Sequence, residues 1–522
     1  MLYNLKDKLW PDSYEYEQYK QEEAYTWYQG DPSALQRLYL LSEHRLYQDA
    51  TFWGTKHDNG DTPRVHVDIA GDIAQTSAAL LFSEPPAIAV DQEDISTHGS
   101  YKEIIDITDL HCVLEEAAEI CAASGGVYIK LNGTEDSLYL EAVPPHSVFP
   151  IYEGKVLTEV YFYTRIGTDI NNQSEQPTAY SVFLREHRYI SEEGLVIESD
   201  FVRASGNAIV GYDSISDHPG YSYIIPHVVV QRYEHLGVVY VPNLKPNAVN
   251  PASPQGRPDY IKCYTMFDFL DETATNWRRD IRLGKSTNFI SSSLLEITKS
   301  TDRPQETLHK YRHNTENFVA INMEQDMMFL SGGKGWQPMT HIQADIRSKE
   351  FIDTYLEIAK DIVRKAGYSP QTFGFETSNY VQTGVSVTKM ERRTFQTKQK
   401  KQRYWASGIK NLLEAIRLYG QAIGISIPDS PITVDFADGA SSSDIQLTSD
   451  AVRNFRQVRA MSTYAAIKLQ HPSWTDAEIQ EEVKLIKKEL EGSNDLAGRD
   501  MNFNQQTPEQ DDGAEEEAQD AE

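Results

Sequence analysis

The sequence predicts an α+β protein, and three observations predict it. Between residues 60 and 257 the chain alternates or runs with β-branched and aromatic residues, as in "GGVYIKL", "SLYLEAV", "VLTEVYFYTRI" and "AYSVFLREHRYI", the patterning of strands with a buried face. After residue 259 the apolar spacing becomes that of long amphipathic helices. Between the two regimes lies "VPNLKPNAVNPASPQGRP", five prolines in eighteen residues, a stiff connector in which neither helix nor central strand can continue.

The totals bound the rest. A chain of 522 residues, 40% hydrophobic and 24% charged, is long enough for two to four compact regions with real cores. The longest apolar candidate, "YIIPHVVV", holds Pro226 and His227 and falls far short of the roughly 20 residues a membrane-spanning helix needs, so no membrane association is expected. The first twenty residues lack an apolar core and a small-residue cleavage site, so no secretory leader is expected. Cys112, Cys121 and Cys263 are scattered, with no CxxC spacing, which predicts free thiols in a reducing compartment and no zinc site. The net charge is −29, and eight of those carboxylates sit in the closing "TPEQDDGAEEEAQDAE", leaving the rest near −21. A protein that grips nucleic acid by neutralising phosphates is expected to be basic; this chain as a whole is the reverse.

Element by element, residues 1–55 read as helical, broken at "QGDPS", where Asp31 caps and Pro32 opens a second helix. Tyr14, Tyr16, Tyr19, Tyr25, Trp27 and Tyr28 crowd this stretch and are expected to pack against a neighbour, within or between chains. "RVHVDIA" opens the strand-rich region 56–258. Two helices interrupt it, at 69–82 and 108–124, and "YISEEGLVIES" predicts a hairpin around Glu193–Gly194. A first long rod runs over 259–285, with Asp259 as its expected cap and Gly284 as its terminator. Tyr260, Tyr264, Phe267, Ala274, Trp277 and Ile281 mark its apolar face. Residues 286–340 are irregular and strand-like. A second rod runs over 341–367, with its stripe through Ile342, Ile346, Ile352, Tyr355, Leu356, Ala359, Ile362 and Val363. Residues 368–387 form a loop of amides, hydroxyls, glycines and aromatics with one carboxylate, Glu376. Thr388 and Glu391 form a capping box for a third long helix, with Trp405, Ile409, Leu412, Leu413 and Ile416 inward, and a return strand completes 388–443. Helices follow over 444–492, and 493–522 is too polar to bury a core and is expected to be disordered.

No catalytic constellation stands out. "RLGKST" ends like a phosphate-binding loop but has Arg279 where the motif needs a glycine, and it follows a helix. "SGGKGW" reads as a turn. The fourteen histidines include no HExxH, and His111 with the carboxylates of "HCVLEE" reads as a surface pair. GxSxG and GxGxxG turns are missing as well. The expectation is a protein that is not an enzyme and uses no cofactor and no metal. One local charge pattern runs against the acidic average: Lys389, Arg392, Arg393, Lys398, Lys400, Lys401 and Arg403 face only Glu391. This band contacts either phosphates or acids on a neighbouring chain, and the sequence leaves both open. "NWRRDIRLGK" is a smaller basic spot with the same ambiguity.

Taken in order, "AGDIAQTSAALLFSEPP", "ASGGVYIKL", "FLDETATNWRRDIRLGK", "AGYSPQTFGF" and "TGVSVTKMERRT" resemble the portal proteins of tailed bacteriophages, in the form found in long-tailed siphophages. The resemblance spans most of residues 35–490. It implies the portal fold: a mixed α/β wing at 56–258, stem helices at 259–285 and 341–367 bracketing a clip at 286–340, a tunnel loop at 368–387, a long wing helix and return strand at 388–443, and a helical crown at 444–492. It implies a homo-oligomeric, dodecameric ring at one capsid vertex of the virion, assembled in the host bacterial cytoplasm. Double-stranded DNA would pass through it, and the terminase packaging motor, a head-completion or adaptor protein, and the major capsid and scaffold proteins would dock on it. The tunnel loop would then bring Ser369, Gln371, Thr372, Phe373, Phe375, Asn379, Tyr380, Gln382 and Thr383 to the DNA. Such a lining can touch a duplex without holding it, whereas a ring of lysines would bind a polyanion of about one charge per 1.7 Å. Another head or connector ring protein is the alternative within structural proteins, and a nucleic-acid-packaging enzyme the alternative outside them.

Overall fold

A computed structural model of the chain describes residues 5, 7–41, 52–54, 63–90, 93–95, 101, 105, 107–133, 138–171, 178–247, 249–285, 287–291, 297–299, 307–309, 318–321, 339–343, 345–375, 384–422, 427, 429–436, 452–453, 461–470 and 479–488. Two compact units emerge, one of Met1–Val381 with Lys389–Ala437, the other of Gln382–Thr388 with Asp438–Glu522.

The first unit opens with α1 (Asp12–Gln29) and α2 (Pro32–Leu41), separated by Gly30 in the left-handed region. The Asp31 carboxylate accepts from the backbone N–H groups of Ser33 and Ala34, the cap the sequence predicts. The crowded aromatics pack within the chain: Trp27 lies 5.2 Å from Phe267, Tyr14 5.1 Å from Phe149 and Tyr25 4.4 Å from the His146 ring.

The strand-rich region holds α3 (Ile69–Phe82), α4 (Leu110–Ser124) and three antiparallel sheets. Strand β1 (Ala87–Val90) is the middle strand of the first sheet, antiparallel to β2 (Glu93–Asp94) on one edge and to the distant return strand β17 (Ile432–Asp435) on the other. Strands β3 (Gly126–Gly133), β4 (Leu138–Val143) and β11 (Val238–Pro242) form the second sheet, with β3 central. The largest sheet runs β10 (His227–Gln231), β8 (Gly194–Ser205), β7 (Thr178–Ser191), β6 (Val156–Asn171) and β5 (Val148–Glu153), with β9 (Ala208–Asp213) on β8. The β7–β8 hairpin forms as expected, one residue earlier: Ser191 pairs with Gly194, so Glu192 and Glu193 make the turn. Gly194, at φ 135°, turns there against the Val230 carbonyl, where a Cβ would stand 2.2 Å away.

"RVHVDIA" is not a strand. Its backbone donors are taken by helix side chains: Val65 N–H bonds Thr275 Oγ1 at 2.9 Å and Val67 N–H bonds Asp271 Oδ1 at 2.8 Å. With those groups satisfied, the segment leads straight into α3.

The first long helix, α5, covers Tyr264–Leu283 and is shorter than predicted, because Cys263 and not Asp259 precedes it. Asp259 is buried and spends its carboxylate elsewhere, as described below. At about 1.5 Å per residue α5 is roughly 30 Å long. The second, α6, covers Ser348–Ala366. It begins later than predicted, since residues 339–342 form a strand, β16 (Met339–Ile342), antiparallel to β12 (Thr287–Ser291). The segment between the helices also includes β15 (Phe318–Ile321), parallel to β12, and the pair β13 (Ile297–Lys299) and β14 (Thr307–His309).

Helices α5 and α6 run antiparallel. Cys263 Sγ reaches the Ile362 carbonyl at 3.7 Å, Trp277 stacks on Phe351 at 6.3 Å, and Arg347 pairs with Asp280 at 2.9 Å. One end of this hairpin is embedded: Phe267, Leu270, Ile358, Ala359, Ile362 and Val363 join Trp27, Trp53 and Tyr260 in one core. The other end is bare. Ile281 and Leu283 are 47% and 70% exposed, and Ile346 and Ile352 are 37% and 42% exposed, although the sequence pattern assigned Ile281, Ile346 and Ile352 to buried stripes.

The third long helix, α7, covers Gly384–Ala422, so Thr388 lies inside it and the predicted capping box does not start it. Trp405, Ile409, Leu412, Leu413 and Ile416 are buried with α3, α4, β3 and β11 in the largest core. The second unit includes α8 (Thr463–Gln470) and a helical stretch at 479–488. The rest of the expected crown and the acidic tail lie outside the described residues.

Candidate functional site

The site of interest is the passage from α6 into α7. Gly367 ends α6 at φ 102°, in the left-handed region, and Pro370–Phe373 form a single 3-10 turn closed by Gly374. Two threonines of α7 clasp this segment. Thr397 Oγ1 donates to the Gly367 carbonyl at 2.7 Å, and Thr394 Oγ1 accepts from the Ser369 N–H at 2.9 Å. The hydroxyls of Thr394 and Thr372 lie 2.9 Å apart.

Beside the clasp lies a buried ionic knot. Lys401 Nζ donates to Asp259 Oδ2 at 2.5 Å, Ser77 Oγ at 2.6 Å and the Tyr368 hydroxyl at 3.0 Å. Tyr368 itself donates to Asp259 Oδ2 at 2.7 Å, and Asn243 Nδ2 reaches Oδ1 at 2.8 Å. The Lys401 and Asp259 side chains are 2% and 0% exposed. All three ammonium protons therefore find acceptors, the condition under which a buried charge is tolerated. The knot joins α3, the connector, the end of α6 and α7 at one point.

These contacts redistribute the predicted site residues. Ser369 is buried, and Thr372 faces α7. Phe373 packs edge-on to Tyr368 at 5.9 Å, and Phe373 and Phe375 lie against the core of the helical hairpin. The threonines and the aromatic core hold Ser369, Thr372, Phe373 and Phe375 at the root of the loop, and Gln371 is half-buried beside them. Asn379, Tyr380, Gln382 and Thr383 lie outside the described residues. Within the basic band, Arg392, Arg393, Lys400 and Arg403 are exposed on α7, Lys398 is half-buried, and the Lys389 side chain lies outside the described residues. Lys401 leaves the band: buried against Asp259, it is out of reach of a phosphate or of another chain. A signal for this was present in the sequence. Counting four, eight and eleven residues towards the N-terminus from Trp405, the positions of the same helical face, reaches Lys401, Thr397 and Thr394. The apolar set alone starts the inward face at Trp405, because a lysine's charge counts for the solvent-facing side until its partner is known.

A second buried carboxylate, Asp271 of α5, accepts from Trp53 Nε1 at 2.9 Å and the Val67 N–H at 2.8 Å, with His66 Nδ1 at 2.8 Å. It fastens the segments before α3 to the helical hairpin. "RLGKST" runs from helix to strand, the reverse of a phosphate-binding loop. Among the described residues no three His, Cys, Asp or Glu side chains gather into a metal-binding group, and no helix is long and apolar enough to cross a membrane.

A mixed α/β body whose antiparallel helices bracket a β segment and hand over to a helix-clasped loop suits a structural protein of phage particles. The chain belongs to the phage portal protein family, SPP1 Gp6-like, whose profile matches residues 8–496. Portal proteins are structural and non-enzymatic components of the virion, at a capsid vertex. No curated protein matches the chain. Among solved structures it is similar to a chain in the neck of an empty gene transfer agent particle computed with C6 symmetry, at 9% identity over 82% of this chain and 92% of that one, with a TM-score of 0.37. A chain in the neck of the native particle computed with C12 symmetry gives 8% identity, 81% and 92% coverage and a TM-score of 0.34. A chain of the native gene transfer agent virion gives 9%, 77% and 89%, and 0.33.

Proposed function

We propose that this chain assembles with copies of itself into a dodecameric ring at one vertex of the phage head, around a channel through which double-stranded DNA enters and leaves. The observation that carries the reading, beside family membership, is the bare end of the α5–α6 hairpin. Apolar side chains left open on two paired helices favour burial against another surface, and in a ring each copy offers that surface to the next. Packing around a closed symmetric assembly covers such a face on every copy at once.

In this ring α5 and α6 are the staves of the stem, and the β segment between them is the clip that meets the terminase motor and later the head-completion protein. The strand-rich region is the wing that meets the capsid and scaffold proteins. The loop after Phe375 narrows the channel, held at its root by Thr394, Thr397 and the Lys401 knot. Amides, hydroxyls and aromatic edges there touch the duplex without gripping it, and the acidic body repels it over a Debye length, about 10 Å at moderate salt.

Native mass spectrometry of the full chain, paired with an ATPase assay, tests this. A ring near twelve copies without ATP hydrolysis is expected. A stable monomer, or an image of the assembly with no central opening, overturns it.

A further inference from the structure

Where the connector, the residues just before α5, the end of α6 and the stretch of α7 from Arg393 to Tyr404 meet, a cleft of about 560 Å³ opens. Six cations line it: Lys245, Arg257, Lys262, Lys365, Arg393 and Lys400. The one carboxylate in its wall, Asp259, is already neutralised by Lys401. Lys365 has an ion pair with Asp361 at 3.1 Å; among the described residues the other five have no carboxylate partner. Burial and the nearby Lys155 charge push the Lys245 ammonium below its usual range. Among the described residues of a single copy, five of the six cations are thus without a counter-charge.

We propose that this cleft is an intersubunit socket that receives clustered carboxylates from a second copy of this chain. The inference rests on the ring reading above and assigns two members of the α7 band, Arg393 and Lys400, to a protein partner. Two observations favour that occupant over nucleic acid. The cations line a concavity, which a protruding acidic side chain or loop can enter, whereas the phosphates of a duplex lie on a convex rod and reach only a rim. The supply of acid is also built in: 78 carboxylates stand against 49 Lys and Arg, so every neighbouring copy brings them in excess. A socket of this kind converts the mutual repulsion of acidic subunits into a contact with fixed register.

The test compares the wild-type full chain with Arg393→Glu/Lys400→Glu and Arg393→Gln/Lys400→Gln, all four substitutions at exposed positions, with circular dichroism as the check on folding. The reversal is expected to raise the concentration for half-assembly roughly tenfold or more, the scale of a lost interfacial charge cluster, and the neutral pair less. Zero-length carbodiimide coupling of rings mixed from light and isotope-heavy copies is expected to join Lys245, Lys262 or Lys400 to an acidic peptide of the other isotope. Variants that assemble like the wild type sink the assignment. Rings that stay intact but lose duplex binding also sink it, and make the cleft a phosphate contact. A wild-type chain that never leaves the monomer sinks the ring reading itself, a distinguishable failure.

Discussion

Removing the Lys401 ammonium leaves the Asp259 carboxylate buried with neutral donors and no counter-charge. Lys401→Met is therefore expected to destabilise the fold by about 3–5 kcal/mol, the cost of breaking a buried pair from one side, read as a fall in urea midpoint. Adding Asp259→Asn should recover much of the loss, and a double variant no better than Lys401→Met alone would count against the pair. His146 sets a pH dependence. Its Nδ1 is enclosed with no hydrogen-bond partner among the described residues, and burial pushes the group from about 6.5 down to about 4. Between those values the unfolded chain binds more protons than the folded one, so stability rises with pH through that window and is lost as pH falls through it, at no more than about 1.4 kcal/mol per pH unit. His146→Gln should flatten the melting temperature between about pH 6.5 and 4; an unchanged slope would assign the acid sensitivity elsewhere.

Among the elements, α7 does the most joining. Its C-terminal half fills the largest core, while its earlier turns hold the loop root through Thr394 and Thr397 and the connector through Lys401. Close approach to β11 is what permits this, and Gly408 allows it: a Cβ there would stand 2.5 Å from Val241 Cγ2. Alanine is the better helix former by roughly 0.5–1 kcal/mol, but overpacking of this kind costs typically 1–3 kcal/mol. Gly408→Ala is expected to lower stability, and pairing it with Val241→Ala should cost less than the two single changes summed. Additive losses in that double-mutant cycle would mean the contact is not the constraint. The α5–α6 hairpin was legible as two rods, yet not which of their stripes are covered. Amphipathic spacing reports that a face is apolar, and the covering depends on what else folds against it. Residues 69–82 form the predicted helix to the residue: the Asp68 carboxylate caps its start by accepting from the Gly71 N–H, and Pro85 and Pro86 follow its end.

At the scale of the whole molecule, a large negative charge and an apolar hairpin end fit the proposed ring subunit, one that packs against its neighbours and holds DNA loosely. Those two properties conflict, since like-charged copies repel, and the proposed socket in the cation-lined cleft is where the conflict would be relieved. The sequence by itself determined the class and order of the main elements, the excess of acid and the family, because periodicity, composition and motif order are local and survive without coordinates. Only the tertiary structure decided which charges remain available. Lys400 and Lys401 are neighbours in the chain, but the helical turn of about 100° per residue sends one into the cleft and the other into the core. Residue type does not distinguish them; the four-residue spacing from Trp405 points to Lys401 as the inward one, and only Asp259, 142 positions away in the chain, supplies the partner that keeps its charge there.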